Sequence, residues 1–316
     1  MDVFHSEAWL RVLEETYGFK PVSLRGRGGG YLPLMEARNL FGKRGVSLPF
    51  SDYSAPLAVS LEQFRELWNE AIALARSRGW KYLELRGGKE WLPDAPASLR
   101  FYRHVLDVRD GEEALFARFE GSVRQAIRKA EKCGLAIEIR HDPEGIRAYY
   151  GLHCQTRKKH GLPPQPSAFF LNIQKHLLSK GLGVLVLARS DQIVVAGAVF
   201  FCCGKQAIFK FGASDQTGLQ TRANNLVMWE GIRWLGARGC ENVDFGRTSL
   251  ENDGLRRFKA GWGTQEGTVE YVKYHVRHAR FVVDKDRASG WHTKIFGRMP
   301  MPLLRIAGAL LYRQMT

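Results

Sequence analysis

Long apolar runs are missing. No stretch reaches the roughly 20 uncharged apolar residues that a membrane-spanning helix needs. The nearest, IFGRMPMPLLRIAGALLY at 295–312, is broken by Arg298 and Arg305. Cysteine is scarce and scattered. Cys133, Cys154, Cys202, Cys203 and Cys240 form neither a C-x-x-C pair nor a Cys/His set of metal-site spacing, so reduced thiols and no metal are expected. The start, MDVFHSEAWL, lacks the basic residues and apolar run of a secretory signal, and a cytoplasmic location is expected.

Several reaction signatures are also absent: H-E-x-x-H, G-x-S-x-G, G-x-x-x-x-G-K-[ST], and G-x-G-x-x-G at a strand-to-helix turn. Their absence disfavours metalloproteases, serine hydrolases, P-loop NTPases and dinucleotide enzymes. What remains is an enzyme relying on positioning and electrostatics, or a binding protein. Acid is in short supply, with 32 acidic residues against 47 Lys and Arg, and the net charge of +15 favours anionic partners.

What the chain does contain is ordinary globular material, 45% hydrophobic over 316 residues, enough for two domains with their own cores. The halves resemble each other. ALARSRGWKYLELRG at 73–87 reads like IRWLGARGCENVDFG at 232–246, with Gly79 and Gly239 separated by 160 positions. Ser51-Asp52 matches Ser214-Asp215, and Ser6 before a helix at 7–17 matches Ser167 before one at 168–180, at nearly the same offset. This predicts two tandem copies of one α/β unit, at 1–110 and 143–285, each running helix, two or three strands, helix, strand, strand.

In the first copy, SLRGRGGGYLPLM at 23–35 reads as a hairpin. In the second, strands are expected at 184–188, 193–201, 207–213, 242–246 and 267–276, and a helix at 223–238. A connector at 111–142 is expected to pack between the copies, with helices at 111–118 and 121–133 and a strand at 135–139. On its second helix Arg124, Arg128 and Lys132 stand four apart on one face, a candidate ridge for nucleic-acid phosphates.

Three segments of the second copy should meet where loops leave strand ends. In KFGASD at 210–215, Lys210 lies within an apolar strand and calls for an anionic partner. In RANNLVMWE at 222–230, Arg222, Asn224 and Asn225 open a helix, where they either cap it or bind an anion. In DFGRTSLENDGLRRFKAGWGT at 244–264, a strand delivers Arg247, a loop follows at 248–253, and a turn presents Phe258 and Lys259. A lysine buried in such a turn would face anionic density such as a developing oxyanion.

With SLPFSDYSAP at 47–56 and VRQAIRKAEKCGLAIE at 123–138, these segments resemble the Fem-type aminoacyltransferases over nearly the whole chain. The resemblance implies two tandem acyl-CoA N-acyltransferase-like (GNAT) domains, with mixed sheets flanked by helices. It implies a metal-free and cofactor-free transfer of an aminoacyl group from aminoacyl-tRNA to an amine on a nucleotide- or lipid-linked envelope precursor, such as one of peptidoglycan. Lys259 of the Phe-Lys pair would stabilise the tetrahedral intermediate. Asp52 would orient the amine or act as base, and Ser51, Tyr53, Arg157, Lys210, Arg222, Asn224, Asn225, Arg247 and Phe258 would bind substrate.

The coiled-coil arm of some Fem enzymes is absent, which leaves tRNA contact to 121–133. An acyl-CoA donor in exopolysaccharide or envelope biosynthesis is the rival reading, although QTGLQTRANN at 216–225 lacks the glycines of a pyrophosphate loop. A non-enzymatic scaffold is a third. The tail at 286–316 is expected to be amphipathic. Its stretch from 291 either docks on the protein's own core or lies on the inner membrane face.

Overall fold

The computed structural model describes residues 2–40, 42–284 and 292–314. The first half runs through α1 (Glu7–Tyr17), β1 (Lys20–Pro21), β2 (Leu24–Arg25), β3 (Tyr31–Leu32), β4 (Met35–Asn39), β5 (Gly42–Val46), α2 (Leu61–Ser77), β6 (Trp80–Arg86) and β7 (Leu99–Asp107). Next come α3 (Glu112–Arg118), α4 (Gly121–Lys132), β8 (Ala136–Arg140), α5 (Pro143–Lys159) and α6 (Ser167–His176). The second half continues with β9 (Gly183–Ser190), β10 (Ile193–Cys203), β11 (Gln206–Ser214), α7 (Gln216–Gln220), α8 (Ala223–Ala237), β12 (Asn242–Ser249), α9 (Asp253–Ala260) and β13 (Gln265–His275). β14 (Arg280–Phe281), α10 (His292–Arg298) and α11 (Met301–Leu311) complete the described chain.

Among the described residues one mixed sheet takes the order β1-β4-β5-β6-β13-β7-β12-β11-β10-β9-β8, with β14 beside β13 and the β2–β3 hairpin apart. Each half contains one parallel pair, β5 with β6 and β11 with β12, joined through helices. The duplication read from sequence therefore has a structural counterpart. The last strands, however, are exchanged: β7 of the first half pairs with β12 of the second, and β13 of the second pairs with β6 of the first. β7 and β13 also pair with each other, so the halves share one continuous sheet.

Helix boundaries follow local chemistry. Ser6 accepts from the Trp9 amide to start α1, and Gly18 ends it in the left-handed region. The matching expectation for Ser167 is corrected: it is the first residue of α6, Pro166 precedes it, and no side chain caps that helix. The expected Phe-Lys turn is corrected too. Asn252 accepts from the Leu255 amide and starts α9, which places Phe258 and Lys259 on its last turn.

Helices cover both faces of the second half's sheet. On one face α8 carries Leu226, Val227, Trp229 and Ile232 into a core shared with Val123, Ile127 and Ala130 of α4. The connector thus belongs structurally to this half: α4 packs on α8 and β8 pairs with β9, rather than lying between the copies. On the other face, Trp9, Val12 and Leu13 of α1 join Phe169, Phe170 and Ile173 of α6, and Tyr149 and Leu152 of α5. α2 covers the first half's strands through Phe64, Leu67, Trp68 and Ala71.

Candidate functional site

Strands β11 and β12 pair in parallel only over Gln206↔Asn242, Ala207↔Val243 and Ile208↔Asp244. Beyond that point the pairing ends and a notch opens between them. Gly246 shapes one wall: it sits at φ +71°, and the β12–β7 register shifts between Asp244 and Arg247. The loop at 47–56 reaches across from the first half and sets Asp52 into the notch.

Four charged side chains meet there. Lys210 on β11 donates to the Asp52 carboxylate and, at 2.7 Å, to the Phe50 carbonyl. The Arg247 amide donates to Asp52 Oδ1 at 3.4 Å. The Tyr271 hydroxyl donates to the Asp52 carbonyl at 2.8 Å and accepts from the Arg247 guanidinium at 3.0 Å. Lys259, 3% exposed, donates to the carbonyls of Gly246 at 2.8 Å and Arg247 at 3.2 Å. The lysine of α9 therefore clasps the bulge that opens the notch, with one N–H left over.

Burial alone would raise the Asp52 pKa, but the surrounding cations Lys210, Arg247 and Lys259 hold it below the usual carboxylate range. Burial lowers Lys259 to about 8, against the pull of Asp52 and Asp244 in the opposite direction. Burial also raises Asp244, even though Arg103 donates to it at 2.6 Å. Around Asp52 there are thus three cations for one carboxylate, a buried positive excess suited to an anion.

Alternation along β11 puts cavities on opposite faces of the sheet beside this notch. Phe209 lines a cavity of 410 Å³ with Thr156, Lys159, Ser214, Asn224 and Phe258. Beyond Phe258 lies a second space of 490 Å³, lined by Lys129, Arg222, Asn225 and Arg257, with Glu120 as its one acid. Ile208 lines a cavity of 430 Å³ on the other face, where the carboxylates Asp2, Glu90 and Asp244 stand with Arg103 and His5. The corresponding place in the first half is filled. There the Ser47 amide donates to the Glu84 carbonyl at 2.8 Å, and the Arg86 amide donates to Ser47 Oγ at 2.6 Å.

Of the other residues expected at the site, Asn224 and Tyr53 line the flanking cavities and the rest lie apart. Ser51 Oγ accepts from the Trp9 indole at 3.1 Å, and Arg103 stacks on the Tyr53 ring at 4.9 Å. Asn224 donates to Ser214 Oγ at 2.9 Å. Arg157 turns to the tail, donating to the Tyr312 hydroxyl at 2.8 Å and to the Pro163 carbonyl at 3.2 Å. On α4, Arg124 donates to the Ala117 carbonyl at 2.9 Å and Arg128 lies over Phe116, while exposed Lys132 ends the helix. Their neighbour Lys129 is the lysine that faces a cavity.

Sequence reasoning missed Arg103, Asp244, Tyr271 and Arg257. A signal existed for Asp244, a lone acid in an apolar strand, which is the same argument that singled out Lys210.

Comparison with known proteins follows the geometry. Residues 117–260 match the family model described as an acetyltransferase (GNAT) domain. The crystal structure of FemX superposes with a TM-score of 0.66 at 16% identity, covering 85% of this chain and 92% of that one. The C-terminal domain of a protein named as a lysylphosphatidylglycerol synthetase from Agrobacterium fabrum gives 0.60 at 14%, covering 84% and 87%. A tandem GNAT protein from the clavulanic acid biosynthesis pathway gives 0.51 at 12%, covering 80% and 81%. No curated protein matches by sequence. At these identities the structural likeness is one of fold. The chain as a whole has a fold like those of FemX and of a tandem GNAT protein, and the family-model match falls on its second half.

Proposed function

We propose that the protein transfers an aminoacyl group from aminoacyl-tRNA to an amine of a cell-envelope precursor, on the cytoplasmic side of the membrane. The observation that carries this reading is the excess of buried positive charge, Lys210, Arg247 and Lys259 around Asp52, between cavities on opposite faces of the sheet. A donor ester entering beside Phe258 and the start of α8 meets cations all along its path: Lys129, Arg222 and Arg257. An acceptor amine enters from the other face, where carboxylates predominate.

The amine nitrogen attacks the ester carbonyl carbon, the C–N bond forms, and the carbonyl oxygen gains negative charge. Lys210, Arg247 and the spare N–H of Lys259 favour that oxyanion in a site largely closed to water. Collapse breaks the C–O bond and releases the donor hydroxyl. Asp52, held ionised by its cations, is a poor base and acts by orienting them. Asp244, whose pKa is raised and which lines the acceptor cavity, is the better group to take the amine proton and pass it to the leaving oxygen.

The second reading is transfer from acyl-CoA, favoured by the GNAT match and by the start of α8 lining the donor-side cavities. Donor binding measured at two salt concentrations separates them. A tRNA complex weakens steeply as salt rises, because each phosphate contact releases counterions. Tight acyl-CoA binding that salt leaves nearly unchanged would overturn the tRNA reading.

A further inference from the structure

Among the described residues, fourteen large apolar side chains are exposed, and five of them, Ile295, Leu303, Ile306, Leu310 and Leu311, fall between positions 295 and 311. The last four lie on α11 and are exposed although that helix is firmly seated. Leu304, Gly308 and Tyr312 make the inner face of α11 and the turn after it, all buried. Gly308 lies so close to the Pro164 carbonyl oxygen that an added Cβ would stand 2.0 Å from it. Arg157 holds the Tyr312 hydroxyl at 2.8 Å, and Gln314 accepts from Asn39 at 3.2 Å. The outer face presents Leu303 at 55%, Ile306 at 58% and Leu310 at 67% exposure, at the i, i+3, i+7 spacing of one stripe.

Charge identifies the occupant. Residues 292–314 contain Lys294, Arg298, Arg305 and Arg313 and no Asp or Glu. A second copy of the chain is disfavoured, because a two-fold contact would set this cationic face against itself. An anionic lipid surface matches both features. We infer that the outer face of α11, with α10 beside it, docks the protein onto an anionic phospholipid bilayer, Leu303, Ile306 and Leu310 entering the headgroup–acyl boundary while Lys294, Arg298 and Arg313 meet lipid phosphates.

The docked helix lies close to the notch. Tyr312 packs on Phe50 at 5.8 Å between ring centroids, and the Phe50 carbonyl holds Lys210. Membrane docking thus sets the transfer site beside the bilayer. The inference stands on the tail's geometry and needs no particular donor.

The test is co-flotation of the full chain with vesicles of phosphatidylcholine alone or mixed with phosphatidylglycerol. Wild type should float with the anionic vesicles, and the loss of two charges in K294Q/R298Q should lower the partition coefficient about thirtyfold. The triple variant L303S/I306S/L310S, whose changed side chains all face outward, should unfold as wild type does and no longer float. Equal flotation of wild type and triple variant, or no flotation of wild type, would overturn the inference. So would a wild-type dimer in solution that the triple variant dissolves, since the face would then be a self-interface.

Discussion

Replacing Asp52 with Asn should be among the most costly single changes in the protein. The Asp52 and Lys210 side chains are 17% and 9% exposed, and removing the carboxylate leaves Lys210, Arg247 and Lys259 crowded without a counter-charge. Breaking one side of a buried ion pair costs about 3–5 kcal/mol. Lys210→Met should cost less, because Asp52 keeps the Arg247 amide and two nearby cations. The double variant should then be more stable than the sum of the single losses predicts, by about 1–3 kcal/mol. Urea unfolding of the four proteins closes the cycle. Additive losses, or an Asp52→Asn protein within about 0.5 kcal/mol of wild type, would refute a desolvated pair holding the notch together.

Other predictions concern the same neighbourhood. Because the folded pKa of Asp52 lies below its unfolded value near 4, its stabilisation is present above that pH and lost as pH falls through the lower folded value; Asp52→Asn should flatten this acid limb in unfolding measurements. Lys259 titrates at about 8 when folded, so between there and its ordinary value the unfolded chain binds the extra proton and stability rises with pH. Transfer that uses the charged ammonium should fall as pH passes 8, and a rate rising there would contradict an electrostatic role. Gly246→Ala introduces a Cβ at φ +71°, with its nearest neighbour an ordinary 3.5 Å away, so a loss of about 1–2 kcal/mol from backbone strain is expected in thermal unfolding. Arg157→Met should release the tail, seen as faster limited proteolysis after α10.

The candidate site is marked in the sequence by misplaced charge. Lys210 within KFGAS and Lys259 beside Phe258 stand out because an isolated cation in apolar surroundings needs a reason. The structure brings both to Asp52, which came to notice through its Ser-Asp match with the second half. The duplicated glycine-to-strand pattern likewise revealed two related halves. What local pattern could not reveal is the exchange of β7 and β13, since either strand fits beside either partner and only the packed sheet selects. The helical state of 253–260 was obscured by three basic residues in a short segment, although Asn252 three positions before Leu255 is a capping signal. Arg157 misled for another reason: an arginine near a helix end gives no local sign that its partner, Tyr312, lies at the far end of the chain.

The central claim is that an amine acquires an acyl or aminoacyl group in the notch between β11 and β12. Single-turnover incubation with charged tRNA or acyl-CoA and amine acceptors, read by mass spectrometry, tests it most directly. Wild type should form an amide with one donor class, and Lys210→Met should lose that product while still binding the donor. No amide with either donor class, or undiminished amide from Lys210→Met, would contradict the account.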